Sequence, residues 1–288
     1  MIPFGLLPPR PLETHKGEAG RVFLLAGSVG LSGAAALCTM GALRAGAGLV
    51  TLGIPQSLHD AMAGKLTETM LKLLPDTPSG SLSEQGLPEI LGALESADAF
   101  GFGPGLSQHE ATRQLVHRLV PQLRRPTVID ADGLNALSHQ VELLQSLACP
   151  AIITPHPGEM ARLARTTPDQ IQRRREETAK DFAARHRVVV VLKGYRTVVA
   201  GPDGACYINE TGNPGMASGG CGDVLTGLMT ALLGQGLVPF DAAQLGVYLH
   251  GLAGDLAAQT QGQIGLIASD VIDTIPLAIR RYQEHSLP

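Results

Sequence analysis

The chain has 288 residues, of which 44% are hydrophobic and 17% charged, a size and composition that suit one α/β domain over residues 1–288. Its net charge of -4 gives no general attraction to nucleic acid, so we expect small-molecule partners instead. The four cysteines have no metal-ligand spacing, and no apolar run is long enough to span a bilayer. We therefore expect a cytoplasmic protein with no membrane contact, no disulfide and no metal held directly by its side chains.

Short apolar runs recur along the chain and predict buried strands. They lie at 21–27, 49–55, 97–104, 127–132, 150–159 and 188–194. Because the runs are continuously apolar rather than alternating, they are typical of parallel strands covered on both faces. Helical patterns between them provide the crossovers that a parallel sheet requires. The prediction is a layered α/β fold.

The helix signals lie between and after these strands. Ser32 is the expected N-cap of a helix that ends near Gly46, and Thr167 with Gln170 predicts the start of one long helix over 169–186. The charged run at 173–177 inside that helix is interpreted as a solvated face rather than a phosphate site. Residues 196–209 predict an antiparallel hairpin with a turn at 202–204. From Asp223 onward the pattern is mostly helical.

A glycine-rich stretch at 213–227 contains one carboxylate, that of Asp223. Gly219, Gly220 and Gly222 allow a tight turn, and the apolar spacing after them predicts a helix that begins near Asp223. A helix N-terminus can hold a phosphate, and a carboxylate beside it can act as a base. The pattern also fits the simpler interpretation that Asp223 only caps the helix.

Two common nucleotide motifs are excluded. The sequence has no phosphate-binding loop of the form G-x-x-x-x-G-K-[ST], and the glycines of the segment 27–33 have the wrong spacing for a dinucleotide fingerprint. A nucleotide site, if the chain has one, must use another scaffold.

Six segments taken together resemble the ADP/ATP-dependent NAD(P)H-hydrate dehydratases, relatives of the ribokinase-like carbohydrate kinases. They are HKGEAGRVFLLAGSVGLSGAAAL, GFGPGL, DADGLNAL, ITPHPGEMARL, VVVLKGYRTVV and NPGMASGGCGDVLTG, in this order from His15 onward. The resemblance implies a three-layer α/β/α sandwich with a mostly parallel central sheet and a C-terminal antiparallel hairpin. It also implies repair of hydrated NADH and NADPH (NADHX and NADPHX).

In this family the nucleotide phosphorylates the hydroxyl of the hydrated nicotinamide ring, and phosphate then leaves. The resemblance therefore implies ADP-dependent dehydration of the S-epimer, with release of AMP and phosphate. ADP is the implied co-substrate, with ATP as an alternative, together with Mg²⁺. A homo-oligomer, specifically a tetramer, and a separate NAD(P)HX epimerase are implied as well.

The site residues implied by the resemblance fall on the quoted motifs. Asp223 matches the catalytic base, and substrate contacts are implied for Ala34, Gly105, His156 and Asp223. Nucleotide contacts are implied for Lys193, Gly194, Tyr195, Arg196, Thr197 and Gly222. Asp132, Asn135, Asn213, Gly219 and Gly220 are further candidate contacts.

One departure and two competing functions stay open. Many members carry Thr where this chain has Cys221, which removes a hydroxyl donor from the glycine-rich loop. A vitamin kinase of the same fold, acting on a small alcohol such as hydroxyethylthiazole, is the competing enzyme. A non-catalytic adenine-nucleotide sensor is the competing binding protein.

Overall fold

The computed structural model of the protein describes residues 5–7 and 10–286, with side chains described up to residue 284. In this part of the chain one sheet has nine strands in the order β3-β2-β1-β4-β5-β6-β7-β8-β9. The strands are β1 (Arg21–Leu25), β2 (Leu49–Pro55), β3 (Met70–Leu74), β4 (Ala99–Phe102), β5 (Thr127–Ile129), β6 (Ala151–Ile153), β7 (Val189–Leu192), β8 (Val198–Ala200) and β9 (Cys206–Ile208). β1 to β7 pair in parallel, and β8 and β9 add antiparallel.

Helices cover both faces of the sheet. They are α1 (Ser32–Arg44), α2 (His59–Ala63), α3 (Leu87–Glu95), α4 (Glu110–Leu119), α5 (Ala131–Leu137), α6 (Pro157–Leu163), α7 (Pro168–Arg173), α8 (Arg175–His186), α9 (Cys221–Gly234), α10 (Pro239–Gln261) and α11 (Ala268–Ser286). None of the helices in the described ranges has the length and apolar character needed to cross a bilayer.

Alternate residues of each strand enter two separate apolar clusters. Val22 and Leu24 of β1 pack with α1, α9, α10 and α11 on one face. Phe23 and Leu25 pack on the other face, with α3, α4, α5, α6 and α8. Since successive strand side chains point to opposite faces, a continuously apolar strand is what a sheet covered on both sides requires.

The predicted strands and the hairpin are confirmed, whereas two local predictions are wrong and one strand was not predicted. The edge strand β3 was not predicted, because its outer residues Met70 and Leu73 are exposed and its run is short. The N-cap of α1 is Leu31 without a side-chain cap, not Ser32. The predicted helix over 169–186 is two helices, because Arg174 leaves the helical conformation with φ -135°. α9 begins at Cys221, so Asp223 lies in the first turn of this helix, as predicted.

Helices α1 and α9 touch backbone to backbone through glycines. A Cβ on Gly227 would lie 1.8 Å from the Cys38 carbonyl oxygen, and a Cβ on Gly41 would lie 2.4 Å from that of Val224. These glycines are needed because a side chain at either position would separate the helices. The contact sets the position of α9, and with it the position of Asp223.

Gly227→Ala should therefore lower the free energy of unfolding by about 3 kcal/mol, the upper end of typical overpacking costs. Gly92→Ala is the matched control, because Gly92 lies inside α3 and a Cβ there would meet no atom within 4 Å. The control should raise the free energy of unfolding by roughly 1 kcal/mol through helix propensity. Urea denaturation of both variants measures these changes, and equal behaviour of the two would contradict the close helix contact.

Candidate active site

The candidate site lies where β4, β5, β6 and β7 end and α9 begins. The residues that follow these strands are Gly103, Asp130, Thr154 and Lys193. In parallel α/β sheets the carboxyl edge is where ligands bind, since loops from several strands meet there. Gly103 has φ 125°, and a Cβ on it would lie 1.8 Å from the Asp130 carbonyl oxygen, so the β4 and β5 loops are packed together.

An ion pair between Lys193 and Asp130 occupies the centre of this edge. The Lys193 Nζ lies 2.6 Å from Oδ1 of Asp130, which is 1% exposed, and 3.9 Å from Oε2 of Glu159. Burial by itself would lower the pKa of Lys193, but the carboxylates of Asp130 and Glu159 outweigh burial and raise this pKa. The ammonium is therefore charged at neutral pH.

The start of α9 lies against this pair. Gly220 precedes the helix with φ 95°, and a Cβ on Gly222 would lie 3.3 Å from the Lys193 Nζ. The helix N-terminus thus brings unpaired backbone N–H groups to the same place as the ammonium. Both features favour an anionic group such as a phosphate.

Asp223 is the third residue of α9 and is half-buried beside these groups. The N-cap position of α9 falls on Gly220, and no side-chain cap is present, so the interpretation of Asp223 as the helix cap is wrong. Burial, followed by the nearby charge of Asp130, raises the pKa of Asp223 from 3.8 to about 7, although Lys193 opposes the shift. Such a carboxyl can exchange a proton near neutral pH.

His156 is held by the backbone that follows β6. It is the N-cap of α6, where its Nδ1 accepts hydrogen bonds from the N–H groups of Gly158 and Glu159 at 3.0 and 3.2 Å. The Glu159 carboxylate accepts in return from the His156 N–H at 2.8 Å. The Nε2 atom of the exposed imidazole lies 3.4 Å from Glu159 Oε1. His156 is thereby linked, through Glu159, to Lys193.

The two small residues predicted to contact the substrate also meet. A Cβ on Gly105, which has φ 62°, would lie 2.9 Å from the Cβ of Ala34. The Gly105 carbonyl accepts a hydrogen bond from the buried Ser28 hydroxyl at 2.8 Å. Ala34 and Gly105 therefore bring the first turn of α1 and the loop after β4 together beside the carboxyl edge.

Other predicted contact residues lie in the loops after β7 and before α9, where they make local contacts. Tyr195 is 92% exposed in the loop after Lys193, where the Thr197 hydroxyl bonds to the Gly194 carbonyl at 2.9 Å and Arg196 lies 3.9 Å from Glu210. Asn213 donates to Asp255 at 3.0 Å, which holds the loop before α9 to α10. Gly219 is exposed at the tip of the same loop.

Asp132 and Asn135 form a second polar link. Asp132 accepts from the Ser107 N–H at 2.9 Å and from the Asn135 side-chain amide at 3.1 Å, and Asn135 accepts from Arg162 at 3.0 Å. These bonds join the loop after β4 to α5 and α6. Asp132 acts on the site through its charge, which contributes to the raised pKa of Asp223.

The family assignment follows from a model of the NAD(P)H-hydrate dehydratases that matches residues 22–277. The chain belongs to the NAD(P)H-hydrate dehydratase family. It is 49% identical over 278 residues to a bifunctional NAD(P)H-hydrate repair enzyme of Moorella thermoacetica, a match that covers 96% of this chain and 52% of that protein. The chain thus spans about half the length of this and similar bifunctional relatives.

A Bacillus subtilis protein matches along nearly its whole length. It is named an ADP-dependent (S)-NAD(P)H-hydrate dehydratase and is 35% identical over 280 residues, 96% of this chain and 95% of that one. A crystal structure of the ADP/ATP-dependent dehydratase from Bacillus subtilis, co-crystallised with ATP and Mg²⁺, has a TM-score of 0.83 and 34% identity, over 96% of this chain and 94% of that chain. The likeness confirms the expected three-layer, mostly parallel dehydratase fold.

Three site residues were missed by sequence reasoning: Asp130, Glu159 and Thr226. Asp130 and Glu159 lie inside the quoted motifs DADGLNAL and PHPGE, and Thr226 lies inside GGCGDVLTG. A strand followed directly by a carboxylate was the available signal for Asp130. Thr226 gave no such signal, because a threonine inside a helix is ordinary in sequence and its partner is far away in the chain.

The raised pKa of Asp223 makes a prediction about stability. In the folded protein Asp223 keeps its proton up to about pH 7, whereas the unfolded chain loses it near 3.8. The folded state therefore binds more protons in this interval, and stability falls as pH rises through it. Asp223→Asn cannot lose a proton, so its melting temperature should rise relative to that of the unmodified protein between about pH 4 and pH 7, and the difference should be constant above about pH 7.

Asp241→Asn is the matched control. Asp241 is also the third residue of a helix, α10. This helix begins at the opposite end of the sheet from Asp223, because Phe240 lies beside Gly201, the residue that follows the antiparallel strand β8. Thermal melts at several pH values should show the widening difference for Asp223→Asn and no comparable change for the control. A constant difference for Asp223→Asn would show that its carboxyl titrates as in the unfolded chain.

Proposed function

We propose that this protein catalyses ADP-dependent dehydration of the S-epimers of NADHX and NADPHX to NADH and NADPH, with release of AMP and phosphate. The main support for the proposal is the position of the Asp223 carboxyl, which has a pKa of about 7 and lies beside the N-terminus of α9 and the Lys193 ammonium. The Bacillus subtilis relative named for this reaction, which the chain matches over both lengths, supports the choice of substrate.

Asp223 would take the proton from the hydroxyl of the hydrated ring. The freed oxygen attacks the β-phosphorus of ADP, the bond to the AMP oxygen breaks, and AMP leaves. The ring phosphate then departs with its C–O electrons while a neighbouring ring carbon loses a proton, which restores the double bond. The oxygen of the added water thus ends in inorganic phosphate, and the reaction balances without an oxidant or reductant.

The residues around Asp223 fit the charge changes of this reaction. The N–H groups at the start of α9, including that of Gly222, would stabilise the transferring phosphoryl group through the helix dipole. Lys193 supplies a positive charge at the same place, and Lys193 through Thr197 follow β7 as the proposed nucleotide-binding segment. Ala34, Gly105 and His156 are proposed to border the dinucleotide.

Magnesium is proposed to enter with the nucleotide rather than on a protein site. Among the described residues, no group of three or more His, Cys, Asp or Glu side chains is arranged to hold a metal ion. Asp130 Oδ1 is already engaged by Lys193. In nucleotide sites phosphate oxygens and water supply most ligands of Mg²⁺. We therefore treat magnesium-bound ADP as the co-substrate and assign it no protein ligand.

The remaining proposals concern the setting of the reaction. We expect the protein to act in the cytoplasm as a homo-oligomer, specifically a tetramer, alongside an NAD(P)HX epimerase that supplies the S-epimer. Size-exclusion chromatography with light scattering measures the oligomeric state.

An absorbance assay tests the proposed reaction. Purified protein, Mg²⁺ and ADP should convert NADHX to NADH with release of AMP, and parallel reactions with NADPHX and with ATP define substrate and nucleotide preference. Phosphorylation of hydroxyethylthiazole by ATP, with NADHX unchanged, would instead identify a vitamin kinase. Nucleotide binding without any turnover would identify a sensor, and either result overturns the proposal.

The role of Asp223 as base predicts the pH dependence of this activity. Only the carboxylate can accept a proton, so kcat/KM should rise with pH through about 7, where Asp223 titrates in the free enzyme. Asp223→Asn should lose on the order of 10²-fold or more in kcat at every pH, since a positioned base contributes this much. Asp241→Asn should keep the activity and pH profile of the unmodified protein. Retained activity in Asp223→Asn would remove Asp223 from the mechanism.

A further inference from the structure

Asp130 is held rigidly by backbone contacts on two sides. Its N–H donates to the Phe102 carbonyl at 3.1 Å, and its own carbonyl accepts from the Gly133 N–H at 2.9 Å, which starts α5. Gly103 packs against the same peptide, since a Cβ on it would lie 1.8 Å from the Asp130 carbonyl oxygen. A residue fixed by strand pairing, a helix start and a close glycine contact can hold its side chain in one place.

The two carboxylate oxygens of Asp130 bind different elements. Oδ1 accepts from the Lys193 ammonium at 2.6 Å, and Oδ2 accepts from the buried Thr226 hydroxyl at 2.8 Å. Both bonds involve an ionised carboxylate, so they are stronger than bonds between neutral groups. Asp130 therefore ties the end of β7 to helix α9.

Thr226 extends this tie to the first turn of α9. Its hydroxyl oxygen also lies 3.1 Å from the Gly222 carbonyl oxygen, the acceptor one turn earlier. A Cβ on Gly222 would lie 3.8 Å from Oδ2 of Asp130, so this turn runs directly past the carboxylate. Asp130 thus holds in place the turn that contains Gly222 and Asp223. These are the two residues proposed to act on the phosphoryl group and on the hydroxyl.

We propose that Asp130 is a positioning residue of the dehydratase reaction, which fixes the first turn of α9 against Lys193 and places its own negative charge beside that turn. The kinetic part of this inference rests on the proposed function. The electrostatic part does not, because it concerns two carboxyl groups of the folded protein.

Several ionisable groups surround Asp223, and Asp130 contributes most among those that disfavour its carboxylate. After burial, the charge of Asp130 is the largest cause of the raised pKa of Asp223, ahead of those of Asp132 and Glu159. Lys193 acts in the opposite direction. The charge of Asp223 also acts on the thiols of Cys38 and Cys221, whose pKa values are raised mainly by burial. The imidazole of His250, a neighbour of Lys193, has a pKa that burial lowers to about 4. These three groups are neutral near pH 7. Asp130 is therefore the residue to replace in order to test how neighbouring charge affects Asp223.

Asp130→Asn should move the titration of Asp223 to lower pH, because a negative neighbour is removed and Lys193 stays. Melting temperatures of the unmodified protein, Asp223→Asn, Asp130→Asn and the double variant, measured across pH, isolate this titration by a double-mutant cycle. The pH near 7 at which the effect of Asp223→Asn on the melting temperature becomes constant should shift downward when Asp130 is replaced. No shift in this pH would overturn the electrostatic part of the proposal.

The same shift should appear in catalysis where the protein is active. The acidic limb of kcat/KM should move to lower pH in Asp130→Asn, and kcat should fall on the order of 10²-fold through loss of alignment. A lower kcat would reduce Asp130 to a structural residue if neither the acidic limb of kcat/KM nor the pH dependence of the melting temperature shifted. Absence of NADHX turnover in the unmodified protein would refute the proposed function but leave the melting cycle as a complete test.

Threonine variants test the positioning if Asp130→Asn fails to fold. Thr226→Val removes the hydroxyl bond to Asp130 but keeps the Asp130 charge, so kcat should fall roughly tenfold without a shift of the acidic limb. Thr230→Val is the matched control, because the Thr230 hydroxyl is equally buried one turn later and donates to the Thr226 carbonyl at 2.7 Å. Thr226→Ser should restore kcat. Equal activity of Thr226→Val and Thr230→Val would overturn the positioning role.

Discussion

The Lys193 ammonium faces more negative charge than it can neutralise. Asp130 is paired with it directly, Glu159 lies at 3.9 Å, and Asp223 is close enough for its charge to act on the same ammonium. Because the dielectric response of a buried site is weak, the excess cannot be dissipated by solvent. The pKa values of Asp223 and Glu159 are raised. Burial is the largest cause, and the charge of Asp130 adds to it. A group able to accept a proton at neutral pH is therefore a consequence of burial together with this imbalance of charge.

The fold creates the imbalance by gathering residues that are distant in sequence. Asp130 and Lys193 are 63 positions apart, and Asp130 and Thr226 are 96 apart. Parallel strands place their carboxyl ends at one edge, so each strand contributes one residue to the same volume. Helix α9 reaches this edge because glycine contacts with α1 allow the two helix backbones to touch. The geometry of the site therefore depends on the packing of a helix pair outside it.

The sequence was sufficient for what local patterns determine. Continuous apolar runs predicted β1, β2 and β4 to β7, and the turn at 202–204 predicted the β8–β9 hairpin. It was insufficient where tertiary contacts decide, at the exposed edge strand β3 and at the break at Arg174. The same limit applies to the site. Lys193 and Asp223 stood out through their motifs, whereas the roles of Asp130 and Thr226 depend on contacts between residues that are distant in sequence.

Cys221 shows how the structure changes the meaning of a departure from the family pattern. In sequence, cysteine in place of the usual threonine suggested a lost hydroxyl contact to phosphate. In the structure its side chain is buried in the apolar cluster shared by α1, α9, α10 and α11, and burial raises the pKa of its thiol. A neutral, buried thiol is a packing group. The anion-binding capacity of the loop then depends on the backbone N–H groups at the start of α9, which a change of this side chain leaves in place.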